Sequence, residues 1–267
     1  MGVYELDGRK ALVSGGGQGL GEGIARALAR AGAAVMIGDI NTETGKATAA
    51  ALRDSGATAG FVELDVREDS SWEAAVGQTV SELGGFDILI NNAGVELSAL
   101  LVDLDPDDVR RMLEVNILGV GLGIKHAFRA MRPDGPAGAG GAVISMSSVA
   151  ATIAFPGIAA YSATKSAVDR LTRVAAMESG KLGYGVRVNC LYPGLVATEM
   201  GVKLAQDVVE LGLFPSVDEA IGGVVGLTPL GRLGEVADMA DAAVFLASDA
   251  ARFITGAALP VDGGMGM

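Results

Sequence analysis

Short, almost uninterrupted apolar runs alternate along this chain with longer stretches of helical period, and few folds accommodate that order. Runs near 10–14, 34–38, 60–64, 88–91, 142–146, 186–191 and 257–261 read as strands. Stretches near 19–31, 42–55, 69–83, 106–131, 161–182 and 235–248 read as helices, each long enough to cross between parallel strands. A strand apolar on both faces needs cover on both faces. The repeated order therefore predicts an α/β fold, a doubly wound parallel sheet of about seven strands with helices on either side. Composition agrees: 50% of residues are hydrophobic, only 4% are aromatic and 40 are glycine, which suits close helix-to-sheet packing. No internal repeat or linker divides the chain, so residues 1–267 read as a single domain.

Local signals place the helix starts, with Asn41 or Thr42 before one and Asp105-Pro106 before another. Two segments break the pattern. Pro133 to Gly141 is a glycine- and proline-rich surface loop. From about 198 to 231, apolar helical pieces intervene between the sixth strand and the last helix, and this segment is expected to form a lid.

A net charge of −12 opposes a nucleic-acid partner, because phosphate backbones are bound by clustered Lys and Arg. Cys190 is the only cysteine and lies in an apolar run, which reads as a buried thiol. The first residues show no signal peptide or myristoylation pattern, and no apolar run is long enough to span a bilayer. A soluble, cytoplasmic protein without a membrane partner is expected.

After the first strand, Ser14-Gly15-Gly16-Gly17-Gln18-Gly19-Leu20-Gly21 leads straight into a helical pattern. Gly15, Gly19 and Gly21 give G-x-x-x-G-x-G, not G-x-G-x-x-G. Such a turn lets backbone N–H groups and a helix N-terminus face a pyrophosphate, although a tight turn without a ligand could use the same glycines. The second strand ends at Asp39, 18 residues beyond Gly21. A carboxylate there accepts ribose hydroxyls and repels a 2′-phosphate, favouring NAD over NADP. No Lys or Arg stands at Gly16, Gly17 or Ile40 to compensate.

Tyr161 and Lys165 are four residues apart, on one face of a helix. A neighbouring ammonium favours the phenolate, which would let the tyrosine exchange protons with an alcohol. Taken alone, the pair also fits an exposed helical contact. Ser148 follows the fifth strand at its carboxyl edge, where open α/β sheets bind ligands. Ser147 is its neighbour, and the spacing of thirteen residues to Tyr161 selects Ser148 as the hydroxyl facing the substrate.

These elements, with Asp65-Val66, Asn91-Asn92-Ala93-Gly94, Asn116 and Pro193-Gly194, occur in an order that resembles the compact, single-domain branch of the short-chain dehydrogenase/reductase family. Ser14 stands where that family more often has threonine. The resemblance implies a Rossmann-type fold and a catalytic set of Asn116, Ser148, Tyr161 and Lys165. It also implies a coenzyme site of Gly15, Gln18, Gly19, Leu20, Gly21, Asp39, Ile40, Asp65, Val66, Asn92, Gly94, Tyr161, Lys165, Pro193, Val196 and Thr198. In that scheme Asp65 and Val66 contact adenine, Val196 and Thr198 hold the carboxamide, and Asn116 interrupts a helix to hold a water. Lys165 lowers the tyrosine pKa and binds the nicotinamide ribose.

The expected reaction is NAD-dependent interconversion of a secondary alcohol and its ketone, without a metal. His126 is the only histidine and has no cysteine or second histidine for a metal site. The apolar residues Met200, Val202, Leu204, Val208, Val209, Leu211, Leu213 and Phe214 of the lid, with Ile153 and Phe155, point to a hydrophobic substrate, with cyclic and steroid-like alcohols as candidates. An amphipathic helix packed on the core would show the same stripe. Two alternatives compete with this reading. A 3-oxoacyl-[acyl-carrier-protein] reductase generally uses NADP and basic residues for its acidic carrier, so Asp39 and the −12 charge weigh against it. A non-catalytic dinucleotide sensor would lack part of the tetrad. The resemblance further implies a homotetramer, with helices 106–131 and 161–182 packed across one dyad.

Overall fold

A computed structural model describes residues 2–267. Seven strands form one sheet: β1 (Lys10–Ser14), β2 (Ala34–Asp39), β3 (Ala59–Glu63), β4 (Ile88–Asn91), β5 (Gly141–Met146), β6 (Val186–Pro193) and β7 (Ala258–Val261). Their order is β3-β2-β1-β4-β5-β6-β7, and all neighbouring strands pair in parallel. The chain winds outward from β1 through β2 to β3, then returns so that β4 starts the other half. The order thus reverses between β1 and β4, where a crevice opens at the carboxyl edge of such sheets.

Crossover helices cover both faces. On one side α1 (Gly19–Arg30), α2 (Thr42–Asp54) and α9 (Val236–Ala247) bury Ile24, Leu28, Leu52, Ala243 and Leu246 against β1, β2 and β5. On the other, α3 (Asp69–Leu83), α5 (Gly119–Met131) and α6 (Ala159–Leu182) bury Trp72, Val76, Phe128, Met131 and Val168. Alanine and glycine keep these layers close. A side chain at Gly23, for instance, would run into Val236, so α1 and α9 touch there backbone to side chain. Cys190 is fully buried in β6, as its apolar neighbourhood predicts.

The helix signals act as read. The Asn41 side chain accepts from the N–H groups of Glu43 and Thr44, and Asp105 accepts from Asp107 N ahead of Pro106. The stretch 106–131 is not one continuous helix. It divides into α4 (Pro106–Leu113), a π-helical turn over Glu114–Leu118, and α5. A widened turn adds a residue without breaking the apolar stripe, so hydrophobic period cannot reveal it. After β6 come α7 (Glu199–Glu210) and α8 (Val217–Leu227), which pack on each other above the carboxyl edge of the sheet.

Candidate active site

The crevice between the sheet halves opens into a cavity of about 820 Å³. Its floor is the strand ends, and its position follows from the sheet order. Gly15, Gln18, Gly19, Leu20, Asp39, Ile40, Asp65 and Val66 line it on the β1–β3 side. Asn92 and Gly94 lie mid-sheet, and Ser148, Tyr161, Lys165, Pro193, Val196 and Thr198 line it on the β5–β6 side. Of the catalytic and coenzyme residues expected from sequence, Gly21 and Asn116 are not in the wall.

The glycine turn is built for close approach. Gly15 (φ +62°) and Gly19 (φ +57°) adopt left-handed backbone that side chains resist. A Cβ on Gly19 would meet nothing within 4 Å, so the turn is open there. Gly21 faces inward instead, and its Cβ would collide with the Gly15 carbonyl. No side chain caps α1 at Gln18, which leaves first-turn N–H groups pointing at the cavity. Open backbone, free donors and a helix N-terminus fit the pyrophosphate of a dinucleotide.

Neighbouring side chains hold this turn. Asn92 Nδ2 donates to the carbonyls of Ser14 and Gly15 at 3.1 and 3.0 Å. The Ser14 hydroxyl donates to Ile90 O and accepts from the N–H groups of Asn92 and Ala93, so the serine ties β1 to β4. Asp39 Oδ2 accepts from Gly17 N at 2.8 Å and Oδ1 from Asn41 N at 2.9 Å. Each carboxylate oxygen retains a further lone pair for a ligand hydroxyl. Asp65 is gripped by Arg67, with Nε to Oδ1 at 2.9 Å and Nη2 to Oδ2 at 2.6 Å. That guanidinium holds the Asp65 carboxyl below its ordinary pKa.

At the opposite end, Ser148 caps a short helical turn, accepting from Ala150 N at 3.1 Å, and shares a hydrogen bond with the Tyr161 phenol. Ser147 faces away from this pair and donates to Lys165 O at 2.8 Å, so the two adjacent serines divide as their spacing predicts. Lys165 Nζ lies 5.4 Å from the Tyr161 ring centroid and donates to Met146 O at 2.8 Å. Burial draws its pKa down to about 8. The spacing predicts a lysine that depresses the phenol. Here burial prevails, and Tyr161 is pushed up to about 12, with the Ser148 hydrogen bond acting against the rise and the Glu96 charge adding to it.

Asn116 is fully buried in the π-helical turn. Its Oδ1 accepts from Val95 N at 2.9 Å, while Nδ2 donates to Val95 O at 2.8 Å and Thr164 Oγ1 at 3.0 Å. Thr164 Oγ1 in turn donates to Tyr161 O at 2.7 Å. Asn116 thereby fastens the loop after β4 to α6, a positioning role that the sequence does not display. A Cβ on Gly94 would make only ordinary contacts at this junction, 3.4 Å from Asn116 Oδ1 and 3.5 Å from Lys165 Nζ.

The 198–231 segment covers the cavity with Met200, Leu204, Val208, Phe214 and Val224. Val202, Val209, Leu211 and Leu213, expected from the same stripe, do not line it; Val202 is on the outer face of α7. His126 lies away from the cavity, buried, with Nε2 2.8 Å from Asp69 Oδ1. Glu96 is a wall residue that sequence reading overlooks, because one carboxylate after a glycine turn looks like an ordinary solvated loop charge.

Residues 15–266 match the family described as enoyl-(acyl carrier protein) reductase. The trans-4-hydroxycyclohexanecarboxylate dehydrogenase of Sinomonas cyclohexanicum is 38% identical over 260 residues, covering 95% of this chain and 91% of that one. The 3-alpha-(or 20-beta)-hydroxysteroid dehydrogenase of Mycobacterium tuberculosis is 39% identical over 262 residues, 97% and 90% of the two chains. Among solved structures, a gluconate 5-dehydrogenase from Burkholderia cenocepacia, in complex with NADP and tartrate, superposes with a TM-score of 0.84 at 36% identity, covering 98% of this chain and 97% of that one. A 3-ketoacyl-(acyl-carrier-protein) reductase from Brucella melitensis, complexed with NADH, gives 0.86 at 31% identity, covering 98% and 100%. With a sheet, a glycine turn and a Ser-Tyr-Lys grouping all in the expected order, the chain belongs to the short-chain dehydrogenase/reductase family and is an oxidoreductase.

Proposed function

We propose that this protein interconverts a hydrophobic secondary alcohol, cyclic or steroid-like, and its ketone with NAD as coenzyme. The observation that carries the proposal is the shared cavity. The Ser148–Tyr161 hydrogen bond and the Lys165 ammonium stand at one end of the same chamber whose other end is the glycine turn and Asp39.

The bound dinucleotide supplies the hydride acceptor or donor. Ser148 holds the substrate oxygen by its hydroxyl, and Tyr161 takes the alcohol proton or returns it to the ketone oxygen. Lys165, fixed on Met146 O, favours the phenolate by its charge and is placed to meet a coenzyme hydroxyl. Gly19, Leu20 and the first turn of α1 receive the pyrophosphate, with Asp39 at the adenosine ribose. Asp65 and Val66 serve the adenine end, and Val196 and Thr198 the carboxamide.

The apolar cover from α7 and α8 supports a hydrophobic substrate, as do the cyclic and steroid alcohols named for the two relatives. A 3-oxoacyl-[acyl-carrier-protein] reductase is the second reading, favoured by the NADH-complexed neighbour of that activity. Because that neighbour was solved with NADH, coenzyme choice does not separate the two readings; substrate does. The sole, buried cysteine accords with a cytoplasmic location. The apolar Leu118, Val174 and Met177 exposed on the α4–α6 side accord with a homotetramer.

The test is Tyr161→Phe, assayed with cyclic and steroidal secondary alcohols and, in reverse, an acyl thioester. The variant should lose about 10²- to 10⁴-fold in kcat with coenzyme affinity retained. In the same assays the unmodified enzyme should show a higher kcat/KM with NAD than with NADP. Retained turnover in Tyr161→Phe contradicts the acid/base assignment, an NADP preference contradicts the role of Asp39, and coenzyme binding without turnover on any compound points to a sensor.

A further inference from the structure

Glu96 is an acidic wall residue that the proposed chemistry leaves unused and, unlike Glu199, which also lines the catalytic half of the cavity, it is buried. It follows the Asn92-Ala93-Gly94-Val95 turn, lines the cavity, and is only 7% exposed. Its backbone is held, because Asn116 clamps both polar groups of the preceding Val95. One carboxyl oxygen is satisfied: Oε1 accepts from the Ser98 hydroxyl at 2.7 Å. The other, Oε2, is buried with no hydrogen-bond partner among the described residues.

An unpaired buried carboxyl oxygen is costly, and native proteins tolerate few. Where one persists in a ligand cavity, the missing partner is naturally sought in the ligand. The cation that acts on it is engaged elsewhere. Lys203 of α7, whose charge reaches Glu96, is bound to Asp207 one turn along the same helix at 2.8 and 2.6 Å. Burial raises the Glu96 pKa, and its charge is felt by Tyr161, which puts acid and phenol in one chamber. The remaining cover from α7 and α8 is apolar, through Leu204, Val208 and Phe214.

We propose that Glu96 is a specificity residue whose free Oε2 accepts a hydrogen bond from a second hydroxyl of the substrate, on a carbon remote from the one oxidised at Tyr161. The substrate class is then a hydrophobic ring bearing two hydroxyls. A hydroxyl suits this site better than an ammonium, because it enters an apolar chamber without a full charge to desolvate. The inference rests on the dehydrogenase reading above and narrows it.

The experiment compares kcat/KM for 1,4-cyclohexanediol and cyclohexanol, and for matched mono- and dihydroxy decalins and steroids, in the unmodified enzyme and in Glu96→Met. The unmodified enzyme should prefer the diol of whichever ring it turns over. The diol-to-monoalcohol ratio should fall about ten- to hundredfold in Glu96→Met, the range expected for one hydrogen bond to a carboxylate. Glu96→Gln, which keeps the shape and guards against a folding defect, should give an intermediate ratio. A merely structural glutamate would leave the ratio unmoved. Three results overturn the assignment: equal ratios in all three proteins, no diol preference in the unmodified enzyme, or a preference for trans-4-aminocyclohexanol over the diol. Absence of turnover on every alcohol and ketone would instead remove the dehydrogenase reading on which it stands.

Discussion

Tyr161 occupies a site that opposes its own ionisation. Burial and the Glu96 charge push its pKa to about 12, against the Ser148 hydrogen bond. The phenol is therefore the resting form through the neutral range, so an acid for ketone reduction is in place at pH 7. Oxidation needs the phenolate, a small fraction there that grows with each unit of pH. Lys165, drawn down to about 8, loses its supporting charge above that value and so blunts the rise. We expect kcat/KM for oxidation to increase from pH 7 to 9 while that for reduction stays flat or falls. Parallel initial rates in both directions check this, and an oxidation limb that declines over the same range would remove Tyr161 as the base. The residues behind this behaviour were legible in unequal measure. Tyr161, Lys165 and Ser148 announce themselves by spacing, and Asp39 by ending a strand. Glu96 does not, since only the folded chain deprives its carboxyl of water.

At the scale of elements, the turn between β1 and α1 depends on absent side chains. A methyl group on Gly21 would press on the Gly15 carbonyl and lie 2.5 Å from Asn92 Nδ2, the atom that holds the turn. Gly21→Ala should cost about 1–3 kcal/mol by overpacking, lower the melting temperature by several degrees, and weaken dinucleotide binding by tenfold or more. Calorimetry and a coenzyme titration measure both, and an unchanged affinity would show that the turn does not cradle the ligand. Most strands and helices were readable because each is an apolar run of the right period between turn signals. The exception is 106–131, where the extra residue of the π-helical turn leaves the pattern of Met112, Val120 and Ile124 unbroken. Helix α7 was readable as a stripe but not in its rotation. Which of its apolar residues look inward depends on how it lands on the sheet.

For the whole molecule, the outer faces say more than the core. Leu113, Leu118, Val174, Met177 and Leu182 are exposed on α4–α6 and their junctions, and Phe253 is fully exposed before β7. The proposed homotetramer would bury exposed apolar side chains of this kind. Sedimentation should give about four times the chain mass, and Met177→Lys, at an exposed position, should shift it towards smaller species. A monomer at micromolar concentration would contradict the homotetramer.

The amide of Asn116 gives the molecule a last property. By gripping Val95 with one set of bonds and Thr164 with another, it makes the peptide that carries the acid and the helix that carries the phenol a single mechanical part. In the proposed mechanism, recognition and proton exchange are thereby coupled through one side chain. Loosening that grip should therefore blur the choice of compound and slow its conversion together.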